Sequence, residues 1–161
     1  MQRFIRHLFF PRFVTRRRFP LPRLQAIEDA IGTAESHTSG EIRFVVETAL
    51  PPSELWRGLG ARERAQQVFA DLRLWDTDAR NGVLVYVLMA DRDVELVADR
   101  GACGCIGQED WEGICRIMEG HFRERRFVEG AIAGVETVGR LLARHFPGDR
   151  RDELPNQPTL L

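Results

Sequence analysis

The side chains best suited to chemistry lie in the stretch WDTDARNGV, residues 75–83, where Asp76, Asp78 and Asn81 directly precede an apolar run. Carboxylate and carboxamide oxygens are the ligands that calcium and magnesium prefer. The same residue types also accept hydrogen bonds from backbone N–H groups in turns that lead into strands. The stretch therefore supports two compatible interpretations, a divalent-cation site and a turn.

The local pattern resembles a calcium-binding EF-hand loop, but its spacing differs. That loop needs D-x-D-x-[DN]-G followed six residues later by Glu. Here Asn81 and Gly82 come one position late, and Leu88 stands where the Glu would be. The spacing excludes an EF-hand, so any cation site must draw on residues from elsewhere in the chain.

The periodicity of apolar residues predicts the elements that position these side chains. A three-four spacing indicates helices, whereas alternating or continuous apolar runs indicate strands. The predicted helices span residues 24–34, 59–72, 111–122 and 127–146, and the predicted strands span 41–48, 82–90 and 94–100. The order αβαββαα predicts an α/β fold, a three-layer sandwich in which a small mixed β-sheet has helices on both faces.

The topology predicts that distant polar residues converge. A helix between the first two strands implies a parallel crossover, and the short DRD turn at residues 91–93 makes the third strand antiparallel. Pairing Ala90 with Val94 would place Asp99 opposite Val85 and Cys103 opposite Asn81. The predicted metal ligands at this end of the sheet, for calcium or magnesium, are Asp76, Asp78, Asn81, Asp99 and Glu41.

A basic arm precedes an acidic domain in the 161-residue chain. Seven of the 23 arginines lie in residues 1–23, which contain no acid, so 16 arginines remain against 24 acidic residues. The arm can pack on the protein's own helices, or lie on an anionic membrane or a membrane protein. An acidic domain without a recognition motif argues against nucleic acid. The predicted contact residues are Arg3, Phe4, Arg6, Phe9, Arg16, Arg17 and Arg18.

The cysteines and histidines do not match the spacing of a disulfide framework, a zinc site or a catalytic motif. Cys103, Cys105 and Cys115 are too few and too closely spaced for a disulfide framework, which is typical of a reducing compartment. No second cysteine pair completes a zinc site, no H-x-x-x-H spacing occurs, and Ser39 does not lie in a G-x-S-x-G motif. No secretory signal and no apolar run of about 20 residues is present. We therefore expect a cytoplasmic protein without a transmembrane segment, peripheral at the inner face of the membrane if the arm binds there.

Three segments resemble the TPM domain family, which includes a plant thylakoid-lumen phosphatase-like protein, a photosystem II repair protein and a nematode modulator of acetylcholine receptors. The segments are SGEIRFVVE, WDTDARNGVLVYVLMADRDVELVADRG, and the helical stretch from WEGICRIMEG to RLLARHFP. The resemblance covers residues 24–146 and implies an α/β/α sandwich. Asp76, Asp78, Asn81 and Asp99 match the acidic positions of the family pattern.

The resemblance also carries functional expectations. Some family members bind calcium, and plant members have acid phosphatase activity. Many bacterial members are membrane-anchored, but this chain is similar to a short soluble bacterial subgroup. We expect a basic aromatic arm at residues 1–22, a TPM-like α/β domain at 23–147 and an extended tail at 148–161.

Two functions follow as hypotheses. The first is a non-catalytic interaction domain with a divalent-metal site, acting with membrane proteins in their assembly or maintenance. The second is a metal-assisted phosphatase-type hydrolase in which Arg80 and Arg100 attract the phosphate. No activated nucleophile is evident beside the carboxylates, so the sequence favours the non-enzymatic function.

Overall fold

A computed structural model describes residues 1–148 and 154–161 of the chain. The elements in these residues, in chain order, are α1 (Gln2–Leu8), α2 (Arg12–Arg18), α3 (Leu21–Glu35), β1 (Glu41–Glu47), α4 (Pro52–Trp56), α5 (Ala61–Asp71), β2 (Gly82–Leu88), β3 (Asp93–Ala98), α6 (Arg100–Cys105), α7 (Gln108–Arg123), α8 (Phe127–His145) and β4 (Thr159–Leu160). The seven predicted elements are all present, and α1, α2, α4, α6 and β4 join them.

A four-stranded sheet with the strand order β3-β2-β1-β4 organises the fold. β1 runs parallel to both β2 and β4, while β2 pairs with β3 in the antiparallel sense. Glu41 pairs with Gly82 at the start of the parallel pair. The predicted mixed sheet and parallel crossover are confirmed, and the end of the chain adds a fourth strand.

Helices cover both faces of the sheet because its central strands are apolar on both. β1 and β2 are buried along their whole length. The face that carries Ile42 and Phe44 belongs to one apolar core, which takes in residues of α3, α7 and α8. The face that carries Val45 and Leu84 belongs to a second core with α5. Fully burying a side chain of this size contributes about 1.5–3 kcal/mol, so both cores stabilise the fold. Helices lie on both faces of the sheet, and the predicted three-layer α/β sandwich is therefore confirmed.

The predicted register of the β2–β3 hairpin is wrong by three residues. Val87, and not Ala90, pairs with Val94. The strands leave the pairing at Leu88 and Asp93, so a four-residue turn replaces the predicted three-residue DRD turn. Arg92 lies in this turn with a φ of 58°. Gly and Asn adopt this left-handed conformation more readily than other residue types.

Two helices form that the apolar periodicity does not predict. Residues 52–56 form α4, and residues 100–105 form α6, which takes in Arg100, the last residue of the predicted third strand. Asp99 caps α6, because its carboxylate Oδ1 accepts a hydrogen bond from the Arg100 N–H at 2.7 Å. Cys103 and Cys105 therefore lie on a helix, and Cys103 is not opposite Asn81 in the sheet.

The predicted tail at 148–161 is partly built into the fold. Residues 149–153 lie outside the described residues, but 159–160 form β4 against β1. The Leu161 N–H donates to the Val46 carbonyl at 2.9 Å, and the Thr48 N–H donates to the Leu161 carbonyl at 3.0 Å. In the part of the chain that the structure describes, no helix combines the length and apolar character needed to cross a bilayer.

Candidate functional site

The loop before β2 is a series of turns anchored by buried side chains. Leu74 is fully buried, and its N–H donates to the Phe69 carbonyl at 3.1 Å. The buried hydroxyl of Thr77 accepts a hydrogen bond from the Asn81 N–H at 3.2 Å. The sequence analysis identified the aspartates and missed Thr77. Its signal was present, because Ser and Thr hydroxyls, like Asp and Asn side chains, form hydrogen bonds to the backbone in turns.

Asp99 lies beside this loop because of the observed register. Its backbone N–H donates to the Gly82 carbonyl at 2.9 Å, and Gly82 directly follows Asn81. The predicted register would have left Asp99 three residues further along β2, opposite Val85. The corrected pairing thus brings Asp99 closer to Asn81 than the sequence predicts.

Both Asn81 and Asp99 keep one buried oxygen without a hydrogen-bond partner among the described residues. Asn81 is fully buried, and its amide Nδ2 donates to the Ser39 hydroxyl at 3.3 Å, while its Oδ1 is unpartnered. Asp99 is 9% exposed; its Oδ1 caps α6, while its Oδ2 is unpartnered. An unpaired buried oxygen costs about 1–3 kcal/mol, so both atoms favour an electropositive group beside them.

The other predicted ligands are placed differently. Asp76 and Asp78 are exposed on the loop. Glu41 is 1% exposed, and its Oε2 accepts a hydrogen bond from the Leu154 N–H at 3.3 Å. Across residues 1–148 and 154–161, no three His, Cys, Asp or Glu side chains form a group that could hold a metal ion.

Two glycines allow the backbone segments at this site to approach closely. A Cβ on Gly82 would lie 2.2 Å from the Leu74 carbonyl oxygen. A Cβ on Gly101 would lie 2.6 Å from the carbonyl oxygens of both Ala79 and Arg80. The Gly101 N–H donates to the Arg80 carbonyl at 2.9 Å. The start of α6 is therefore packed directly on the loop that carries the aspartates.

The N-terminal arm is attached to the domain through Asp91. Arg3 and Arg6 both form ion pairs with its carboxylate, with Arg3 at 2.8 Å, and His7 Nε2 lies 2.9 Å from Oδ1. Burial would raise the pKa of Asp91, but hydrogen bonds from Arg3, His7 and Arg6 outweigh it and lower that pKa to about 2. His7 Nδ1 also accepts from the Leu50 N–H at 2.9 Å, so this side chain fixes α1 at two points.

The arm divides into a packed side and an exposed side. The Phe4 ring meets the Trp56 ring edge-on at 5.4 Å, and Arg18 stacks over Phe127 at 4.6 Å from its centroid. Phe9 is 73% exposed and Phe13 is 66% exposed. Of the predicted contact residues, Arg3, Arg6, Phe4 and Arg18 have contacts within the protein, whereas Phe9, Arg16 and Arg17 are exposed.

Comparison with known proteins identifies the family. A model of the TPM domain matches residues 22–141. The chain is also similar to the BA42 protein of the psychrophilic bacterium Bizionia argentinensis, whose NMR structure superposes with a TM-score of 0.76 at 31% sequence identity. That similarity covers 87% of this chain and 93% of the other. A search of curated proteins finds no match. Because the matched residues make up most of the chain, it belongs to the TPM domain family.

Proposed function

We propose that this TPM domain is a non-catalytic accessory module that holds a divalent cation, calcium or magnesium, beside Asn81 and Asp99. The observation that carries the proposal is the pair of buried, unpartnered oxygens, Asn81 Oδ1 and Asp99 Oδ2. Both are hard oxygen ligands of the kind these cations take. They belong to neighbouring backbone segments, since the Asp99 N–H is bonded to the Gly82 carbonyl.

Asp76 and Asp78 would complete the coordination from the solvent side. Both are exposed to the solvent from which an ion would enter. In the described residues they do not form a ligand group with Asp99, so cation binding would require their side chains to turn toward the ion. Water molecules would occupy the remaining positions, as they do at many magnesium and calcium sites. Glu41, which pairs with Gly82 in the sheet, adds negative charge from the adjacent strand.

Binding is favoured over catalysis because, in residues 1–148 and 154–161, no base is hydrogen-bonded to the hydroxyls nearest Asn81. Ser39 and Thr77 are the hydroxyls hydrogen-bonded to Asn81. Among the described residues, neither hydroxyl is hydrogen-bonded to a histidine or a carboxylate that would activate it as a nucleophile. The same arrangement suits a cation that stabilises the protein or orders a surface for a partner.

Calorimetric titration with calcium and magnesium tests the cation proposal. Asp99→Asn keeps an N-cap residue for α6 but removes the ligand charge, and we expect it to weaken cation binding about tenfold or more. Asp71→Asn is the matched control, because Asp71 is an exposed carboxylate at the end of α5. Equal affinities for Asp99→Asn and the unsubstituted protein would refute the assignment of this ligand.

The exposed side of the arm supplies a second part of the proposal, contact with an anionic membrane surface or a membrane protein. Phe9 and Phe13 are mostly exposed, and Arg12, Arg16 and Arg17 are exposed beside them in sequence. Exposed aromatic and basic residues together bind anionic lipid surfaces. This would place the protein in the cytoplasm, peripheral at the inner face of the membrane. Cosedimentation with anionic vesicles, lost in a Phe9→Ser, Phe13→Ser double variant, would support it; equal cosedimentation of the double variant would refute it.

A metal-assisted acid phosphatase is the second candidate function. The supporting observation is the 2.9 Å hydrogen bond from the Gly101 N–H to the Arg80 carbonyl, which brings the backbones of Arg80 and Arg100 close to the proposed cation. A cation flanked by arginines can polarise a phosphoryl group. Metal-dependent hydrolysis of p-nitrophenyl phosphate that is abolished in Asp78→Asn would replace the non-catalytic proposal with this one.

A further inference from the structure

A cavity lies at the opposite end of β2 from the proposed cation site. It has a volume of about 430 Å³ and is formed where the end of α2 meets the β2–β3 turn and the α7–α8 turn. Its lining residues are Arg18, Val87, Met89, Arg92, Glu119, Phe122, Arg123, Arg125 and Phe127. β2 has seven residues, so the cavity and the proposed cation site are separated by about 20 Å along the strand.

The cavity has an excess of positive charge. Four arginines line it against one glutamate, and that glutamate, Glu119, is already paired with Arg123 at 3.0 Å. Within residues 1–148 and 154–161, no carboxylate forms an ion pair with Arg18, Arg92 or Arg125. The unpaired arginines come from three separate elements, so the fold itself brings them together.

Arg18 is close enough to Arg92 and Arg125 for their positive charges to repel its own. Burial lowers the pKa of Arg18, and the positive charges of Arg92 and Arg125 lower it further. The backbone turns hold Arg92 and Arg125 at φ 58° and 61°. A bound anion would remove the mutual repulsion, and guanidinium groups match phosphate oxygens in two-pronged geometry.

The floor of the cavity is apolar and aromatic. The Phe122 and Phe127 rings lie 5.3 Å apart between centroids, and Arg18 stacks over Phe127 at 4.6 Å. Val87 and Met89 also line the cavity and are almost fully buried. Apolar and aromatic side chains add little to the affinity for an inorganic anion, but they would contact the hydrocarbon part of an organic anion.

We propose that this cavity binds an organic phosphate, with the phosphate among Arg18, Arg92 and Arg125 and its organic group on Phe122 and Phe127. Three unpaired cations balance a dianion better than a monoanion, which favours a phosphate monoester over a simple carboxylate. Both a soluble phosphate ester and the headgroup of phosphatidic acid have this chemistry. The site is independent of the proposed cation site and of any catalysis.

Calorimetric titration of the full chain with phenyl phosphate is the primary test. We expect saturable binding that weakens with salt and becomes about tenfold weaker or more in Arg92→Gly and in Arg125→Gly. Glycine suits the positive φ at both positions, so neither variant should unfold. Arg73→Gly is the matched control, because Arg73 has a φ of 53° and is not part of the cavity lining. It should bind as the unsubstituted protein does.

Additional titrations separate the ligand sources and the two proposed sites. Inorganic phosphate should bind more weakly than phenyl phosphate; equal binding would contradict the role of the aromatic floor. Cosedimentation with phosphatidic acid vesicles that is reduced by the same two variants would assign the lipid source, while phenyl phosphate binding alone would assign a soluble ester. Asp99→Asn and added chelator should leave phenyl phosphate binding unchanged. The proposal is overturned if neither probe binds, or if Arg92→Gly and Arg125→Gly bind as tightly as Arg73→Gly.

Discussion

Asp99 lies opposite Gly82 in the sheet, and its N–H donates to the Gly82 carbonyl at 2.9 Å. This single pairing places a buried carboxylate beside the loop that carries Asp76, Asp78 and Asn81. It also places the start of α6 on that loop, because α6 begins directly after Asp99. The candidate cation site therefore depends on the register of the β2–β3 hairpin.

Gly101→Ala should destabilise the protein by about 1–3 kcal/mol, because the new methyl group would meet the carbonyl oxygens of Ala79 and Arg80 at 2.6 Å. Urea denaturation measures the change. Gly104→Ala is the matched control in the same helix, where nothing lies within 4 Å of the added Cβ, and it should stabilise the protein by up to about 1 kcal/mol. Equal effects of the two variants would show that α6 does not pack on the loop.

Asn81→Asp should make stability depend more strongly on calcium. The new carboxylate would lie near Asp99, so the two charges should repel each other and lower the melting temperature without metal. Calcium would relieve this repulsion and add stability by binding only the folded state. Thermal unfolding with and without calcium measures both effects, and a variant with no greater calcium response than the unsubstituted protein would argue against an ion at Asn81.

Asp91 should contribute to acid sensitivity. Its pKa in the folded protein is lowered to about 2 from the ordinary value of 3.8. A carboxyl group whose pKa falls on folding stabilises the protein fully above the higher value, and this stabilisation is lost as the pH falls from about 4 to about 2. We expect Asp91→Asn to remove about 1–2 kcal/mol of stability at neutral pH and to flatten the pH dependence in that window. Urea denaturation at several pH values would contradict this if the slopes were identical.

Arg64 should be more important for stability than exposed arginines are. Its Nε lies 2.8 Å from Glu47 Oε2, and the buried Tyr86 hydroxyl donates to the same oxygen at 2.6 Å. Arg64→Met would leave a carboxylate whose side chain is 5% exposed without its cation, which costs about 3–5 kcal/mol for a fully buried pair. Arg57→Met, at a side chain 75% exposed, should change stability by less than about 1 kcal/mol. Similar losses in the two variants would rule out a special role for the buried pair.

Removing residues 154–161 should destabilise the sheet. Arg43, which is 7% exposed, donates to the Pro155 carbonyl and to the Thr159 hydroxyl. Deletion would leave this cation without those acceptors and would expose the edge of β1, which favours intermolecular strand pairing. We expect a lower melting temperature and aggregation measurable by light scattering. A shortened chain that melts like the full one would show that β4 contributes nothing.

The central elements were predictable because their sequence must satisfy burial on both faces. β2 starts at Gly82, where the continuous apolar run begins, and parallel buried strands need such runs. Helices α7 and α8 carry apolar stripes at helical spacing because each has one face on the core. The order of these elements then determined the three-layer architecture.

The features that sequence reasoning missed depend on short or distant signals. Two residues, 159–160, are too few for a strand pattern, so β4 depends on its pairing with β1. The hairpin register depends on Arg92 adopting a positive φ, a conformation that an arginine in the sequence does not predict. The ion pairs of Arg3 and Arg6 with Asp91 connect residues 88 and 85 positions apart. Asp99 before α6 was an N-cap signal that could have revealed that helix.

An NMR titration of the ¹⁵N-labelled protein with calcium and magnesium tests the central claim most directly. The account predicts amide shifts confined to Glu41, residues 76–82 and residues 99–105, with those of Asn81 and Asp99 among the largest. The Arg92 and Arg125 amides, at the other end of β2, serve as internal controls and should not move. Unmoved amides around Asn81 and Asp99 at millimolar metal would contradict the claim and leave the stretch from Trp75 to Val83 as a turn.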